Sequence, residues 1–181
     1  MNFWQKAAIC LRNYCNLKIN MENNGRSVSN KELFGLCDDT PPARNPAYID
    51  ETDKSKWIGI VDNPNSKPIG FYGIDHCLVL KTGKEEETQQ VCDGLLHYDD
   101  ELIFVELKDR QYRGWVKTGC EQLAATVEHI SRTSSFKNFC SVKAYICNRQ
   151  RPFFSANYNC HIQDFKNRTG LELKIMRKIA L

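Results

Sequence analysis

An aspartate, a glutamate and a lysine within residues 91–110 (VCDGLLHYDDELIFVELKDR) have the types and spacing to do chemistry together. Two apolar runs, 91–98 and 101–108, flank Asp99-Asp100, the pattern of a β-hairpin closed by a two-residue turn. A type I′ turn needs positive φ at both central residues, so Asp-Asp is a weaker turn signal than Asn-Gly. With this turn Tyr98 lies opposite Glu101 and, counting outward, Asp93 lies opposite Glu106. Opposed residues point to the same face, with Cβ atoms about 5 Å apart. Lys108 is two residues beyond Glu106 and shares that face, while Val105 and Leu107 point the other way.

Two carboxylates held side by side repel one another unless a cation lies between them. A lysine partly serves; a divalent metal serves better, and Mg²⁺ is commonly held by one or two carboxylates with water and substrate phosphate completing its shell. The competing reading is an edge hairpin whose charges are simply solvated. Against it, Glu106 ends the most apolar run of the chain, Leu102-Ile103-Phe104-Val105, and a polar residue in such a run needs a reason.

Asp93-Gly94, a turn, then Ile103-Phe104-Val105-Glu106-Leu107-Lys108 resembles the PD-(D/E)XK nuclease superfamily. The resemblance implies an α/β fold: a mixed central β-sheet with flanking helices and a restriction-endonuclease-like α-β-β-β-α-β core. It also implies that Asp93, Glu106 and the carbonyl of Leu107 hold one or two Mg²⁺ ions, for which Mn²⁺ can substitute, and that Lys108 orients or helps deprotonate the attacking water. Cys92 stands where the superfamily's name has Pro. The similarity spans roughly residues 71–179.

A chain of 181 residues has the size of one domain. We read residues 1–48 as a helical and loop extension and 57–181 as the α/β core. Hydrophobic content of 41% and charged content of 26% are ordinary for a globular protein, and a net charge of +3 permits a polyanionic partner without demanding one. The nine cysteines are scattered, mostly inside apolar runs, and form no C-x-x-C pair. They read as small core hydrophobes with free thiols, which points to a reducing, cytoplasmic setting. No transmembrane-length apolar run and no signal peptide are visible, so no membrane role is expected.

Along the chain, residues 3–16 suggest an amphipathic helix, and Ser29 suggests the cap of a second short helix over 31–36. Prolines make 38–46 a loop. Residues 57–61 and 69–80 read as strands with a turn at 63–68. Asp75 lies inside the second strand; it is either a further metal-site acid or an Asp capping a backbone N–H at a bend. Residues 81–89 read as a solvated loop. From Trp115 to Arg132 the apolar positions Val116, Cys120, Leu123, Val127 and Ile130 recur at helical spacing. Residues 139–147 read as a strand, 160–169 as a helix stopped by Gly170, and 171–179 as a closing strand.

Gln122 lies on that helix beside its apolar stripe; the resemblance makes it a residue near the attacking water, and an ordinary polar helix residue is the other reading. Basic residues interleaved with aromatics, Arg110, Arg113 and Lys117 with Tyr112 and Trp115, then Arg149 and Arg151 with Phe153 and Phe154, suit a phosphate backbone and stacked bases. A second E-x-K, Glu172-Leu173-Lys174, has no hairpin acid opposite it and is set aside.

The expected function is Mg²⁺-dependent hydrolysis of nucleic-acid phosphodiesters, DNA favoured over RNA, in phage defence, restriction or repair. A homodimer, or an ATPase or sensor subunit beside the nuclease, is the expected partnership. The alternative is a catalytically silent nuclease-fold subunit that binds nucleic acid or docks on a larger complex.

Overall fold

The computed structural model describes residues 25–39, 45–75, 80–81, 88–109, 114–150 and 156–181. The expected helix over 3–16 lies outside them, as do Arg110, Arg113 and Arg151.

Six strands make the principal sheet: β1 (Arg26–Ser29), β5 (Ile69–Gly73), β8 (Gly94–Tyr98), β9 (Glu101–Lys108), β10 (Ser141–Asn148) and β11 (Leu173–Ile175), in that spatial order. The first four run antiparallel to their neighbours; β10 is parallel to β9, and β11 to β10. A second, four-stranded sheet contains β2 (Leu33–Cys37), β3 (Tyr48–Asp50), β4 (Gly59–Asp62) and β12 (Lys178–Ala180), in the order β12-β4-β2-β3. A short ribbon pairs β6 (Leu80–Lys81) with β7 (Thr88–Gln89). Two α-helices are present among the described residues, α1 (Trp115–Ile130) and α2 (Ala156–Thr169). The molecule is thus mixed α/β with two mixed sheets.

Strand periodicity sorts β9 between two cores. Leu102 and Phe104 join Trp115, Val116, Leu123, Val127 and Phe165 in the cluster between the principal sheet and the helices. Ile103, Val105 and Leu107 join Phe34, Leu36, Val61 and Ile179 in the cluster under the second sheet. Both faces of the strand are covered, which is why residues 102–105 are continuously apolar rather than alternating. Glu106 and Lys108 continue the helix-facing series.

Three expectations need correction. Residues 31–36 are not helical: Ser29 Oγ does accept the Lys31 N–H, at 3.1 Å, but this closes a turn into strand β2. The reason is tertiary. Gly35 lies under the Trp57 ring, where a Cβ would come within 2.0 Å of Cγ, and the strand is paired on both sides, by β3 and β4. The described part of the extension is therefore β structure, continuous with the core. Residues 69–80 do not form one strand; β5 ends at Gly73, and Leu80 belongs to the separate ribbon. The closing strand is also two, β11 in the principal sheet and β12 in the second, with Met176 and Arg177 between them.

The helix over 115–130, the turn at 63–68 and the strand at 141–148 lie where the sequence reading places them, within a few residues at the ends. Gly170, at φ 73°, ends α2. Cys37, Cys92, Cys120 and Cys147 are buried free thiols, and Cys140 and Cys160 are exposed ones. Among the described residues no helix is long and apolar enough to cross a membrane.

Candidate active site

Tyr98 pairs with Glu101 and Gly94 with Val105, so the β8–β9 register is the one that sets Asp93 opposite Glu106. The turn is not type I′: Asp99 has φ 45°, but Asp100 is not in the positive-φ region. Lys67 pairs with Asp99 at 2.6 Å across the turn, which helps the less favourable dipeptide hold the tight connection.

At the other end of the hairpin the three residues meet. Asp93 is 7% exposed and Glu106 0%. The Leu107 N–H donates to Asp93 Oδ2 at 2.5 Å, tying the aspartate across to β9. The Lys108 ammonium touches Glu106 Oε1 as an ion pair. Gln122 comes down from α1: its Oε1 accepts from Lys108 Nζ at 3.0 Å and its Nε2 donates to the Val91 carbonyl at 3.2 Å. One turn on, Thr126 Oγ1 accepts the Cys92 N–H at 2.9 Å and donates to the Gln122 carbonyl at 2.8 Å. The helix is thereby fastened to the segment that leads into Asp93. Sequence reasoning missed Thr126; its position one helical turn from Gln122 was the available signal.

The helix can approach because Gly119 has no side chain. A Cβ there would lie 3.4 Å from Glu106 Cγ and 3.0 Å from Ile146 Cδ1. Gly114, at φ 86°, starts the helix, and the buried stripe follows from Trp115 and Val116.

Burial raises the Glu106 carboxyl to about 7, against the opposing pull of the Lys108 charge. Burial and then repulsion from Glu106 raise Asp93 well above the ordinary carboxylate range, with Lys108 and the Leu107 N–H working the other way. Asp38, just past β2, adds repulsion to both. It follows β2 of the second sheet, so its repulsion on the pair depends on tertiary packing.

A cation fits this pair. The Lys108 ammonium and the Asp93 N–H lie near the Glu106 carboxylate, yet neither Glu106 oxygen receives an aligned hydrogen bond. Were both acids ionised, one ammonium would leave a negative charge that burial penalises; without a metal the raised carboxyls avoid it by holding protons, and a divalent ion would offset it instead. Among the described residues no group of three or more His, Cys, Asp or Glu side chains could hold a metal ion. Asp93 and Glu106 are two carboxylates, the donor type with which Mg²⁺ is commonly held when water and phosphate fill its remaining positions.

The other expected site residues have these surroundings. Asp75 Oδ1 accepts the Ala47 N–H at 3.4 Å, and its neighbour Ile74 donates its N–H to the Asp93 carbonyl at 2.9 Å. Arg149 is committed to structure: its Nε pairs with Asp109 at 2.7 Å, and its terminal nitrogens donate to the carbonyls of Ser55 at 2.7 Å and Lys56 at 3.0 Å. Lys117 is on the exposed face of α1, loosely paired with Glu121 at 3.8 Å.

Asp93, Glu106, Lys108 and Gln122 thus form one contiguous polar group at the end of the principal sheet, on its helix-facing side. No protein-family model, curated protein or solved structure significantly matches the chain.

Proposed function

We propose that the protein is a metal-dependent phosphodiesterase of the PD-(D/E)XK type, acting on nucleic acid, with DNA the favoured polymer. The observation that carries this reading is Asp93 and Glu106 opposed across β8 and β9, both buried, with the Lys108 ammonium against Glu106. The order of elements in the principal sheet, three antiparallel strands β5, β8 and β9, then α1, then β10 parallel to β9, supports the same reading.

Asp93, Glu106 and the Leu107 carbonyl would hold Mg²⁺ or Mn²⁺. Such a cation lowers the pKa of water and neutralises charge on phosphate. In the hydrolysis a water oxygen bonds to phosphorus, the bond to the leaving oxygen breaks, and that oxygen takes up a proton. With a cation relieving Glu106, the Lys108 ammonium would stabilise the negative charge that develops on the phosphate oxygens. Gln122 steadies Lys108 by accepting a hydrogen bond from its ammonium. Thr126 and the Val91 carbonyl keep helix and hairpin in register. Lys117 supplies a solvent-facing contact for the phosphate backbone, where sequence-independent affinity resides.

The test is cleavage of supercoiled plasmid, single-stranded DNA and RNA with Mg²⁺, Mn²⁺ or EDTA, wild type against Glu106→Ala and Lys108→Ala. Metal-dependent cutting that both substitutions abolish supports the reading, and the panel identifies the polymer. Cutting by Glu106→Ala at the wild-type rate sinks the site. Absence of any cutting favours the catalytically silent, nuclease-fold subunit.

A further inference from the structure

Asn148 ends β10 at the position that pairs with Lys108 in the parallel ladder, just as Ile146 pairs with Glu106. Ala144 and Ile146 belong to the core between sheet and helices, while Tyr145 and Cys147 belong to the core beneath the second sheet. Alternation therefore places Asn148 on the same face as Glu106 and Lys108, one strand further along. It is 0% exposed.

Its amide has a defined orientation. The Gln150 N–H donates to Oδ1 at 2.8 Å, so the oxygen is the acceptor and Nδ2 is left as the donor. Nδ2 is buried and has no hydrogen-bond partner among the described residues. A buried donor without an acceptor pays its desolvation without a compensating bond. Leucine, of similar size, would avoid that penalty. A polar group left under such a penalty, in register with Lys108 on the next strand, has the character of a group waiting for a ligand.

We propose that Asn148 is a further catalytic residue, whose Nδ2 donates a hydrogen bond to a phosphate oxygen of the substrate held beside Lys108. The proposal rests on the phosphodiesterase reading. An amide donor fits the role. It adds no charge to a group that already holds Lys108, and its direction is set by the Gln150 contact rather than by the ligand. Donors preorganised in this way around a reacting phosphate are worth about 10²–10³-fold in rate.

The experiment follows the side-chain NH₂ resonances of the ¹⁵N-labelled protein while a thymidine dinucleotide is added with Ca²⁺. The Asn148 pair is identified by its absence from Asn148→Leu; the Gln122 pair and the Leu107 amide report on site occupancy. Plasmid cleavage and thermal unfolding are measured for wild type, Asn148→Leu and Asn148→Asp, the last retaining an acceptor for Gln150. The expected result is that the Asn148 NH₂ shifts with the other two reporters. Asn148→Leu and Asn148→Asp should each lose about a hundredfold in kcat with KM within a few-fold, and Asn148→Leu should melt no lower than wild type. If the reporters at Leu107 and Gln122 move and Asn148 does not, the donor role is wrong while the site stands. If none of the three moves, the phosphodiesterase reading and this inference fall together. A lowered melting temperature with unchanged kcat would make Asn148 merely structural and overturn the inference.

Discussion

Gln122 accepts a hydrogen bond from the Lys108 ammonium with its side-chain oxygen and donates one to the Val91 carbonyl with its nitrogen, so a single amide sets the lysine and the approach to Asp93. Gln122→Leu keeps the size and removes both bonds. We expect cleavage to fall by about ten- to a hundredfold and stability by about 1–2 kcal/mol. Steady-state kinetics and denaturant unfolding check this, and a variant that unfolds sooner but cuts normally would confine Gln122 to scaffolding.

Glu106 gives a pH signature to the metal-free protein. Its carboxyl lies near 7 in the folded state against 4.5 for the free group. The folded protein therefore holds a proton that the unfolded chain has lost. The stability this provides is complete below about 4.5 and is lost as pH rises through 7, with a ceiling on the order of 3 kcal/mol. Asp93 shifts in the same direction. Burial holds His97 down near 4, which gives the opposite slope over the acid side of neutrality. The contrast to measure is wild type minus Glu106→Gln in EDTA between pH 4.5 and 8. Wild type should lose ground as pH rises, and Mg²⁺ at pH 8 should restore wild type but not the variant.

Gly119 offers a graded probe of the helix approach. Its added Cβ in Gly119→Ala would meet the tip of Ile146, which can rotate, and alanine gains about 1 kcal/mol of helix propensity. That variant should unfold within about 1 kcal/mol of wild type. Gly119→Leu must push α1 off Glu106. It should cost about 1–3 kcal/mol and abolish the Mg²⁺ effect on melting. Unchanged metal response in Gly119→Leu would mean that the helix does not shape the site.

Two basic residues should part company in binding experiments. Lys117→Ala should weaken nucleic-acid binding evenly across sequences and lower the slope of log K against log salt by about one. Arg149→Ala should leave that slope alone and lower the melting temperature, because its partners are Asp109 and the backbone of Ser55 and Lys56. The reverse pattern would return Arg149 to the binding surface.

The hairpin was legible because its two-residue turn fixes register by counting, and register fixes which carboxylates meet. The helix over 115–130 was legible because a buried stripe repeats at 3.6 residues. What lay hidden depends on partners distant in sequence. Leu33 to Cys37 are a strand because Gly35 accepts the Trp57 ring and because β3 and β4 flank it. Asp38 adds its repulsion to the acid pair although it follows β2 of the second sheet. Asn148 carries no local mark of its empty donor, since that follows from the β9–β10 register and from the Gln150 contact. Arg149 shows a related limit: an arginine next to aromatics looks the same in sequence whether or not its guanidinium also holds Asp109 and the carbonyls of Ser55 and Lys56.

The division of residues 173–180 between two sheets bears on when the site can exist during synthesis. Leu173 to Ile175 pair with β10, and Lys178 to Ala180 then pair with β4, where Ile60 meets Lys178. Ile179 is a fully buried member of the core beneath β9. Such sequence-distant parallel pairings form late. A ribosome-bound chain lacking residues 173–180 has the acid pair, the lysine and α1, but lacks one edge strand of each sheet. The candidate hydrolytic centre would mature only after those residues emerge, which places a delay between translation of its residues and its assembly.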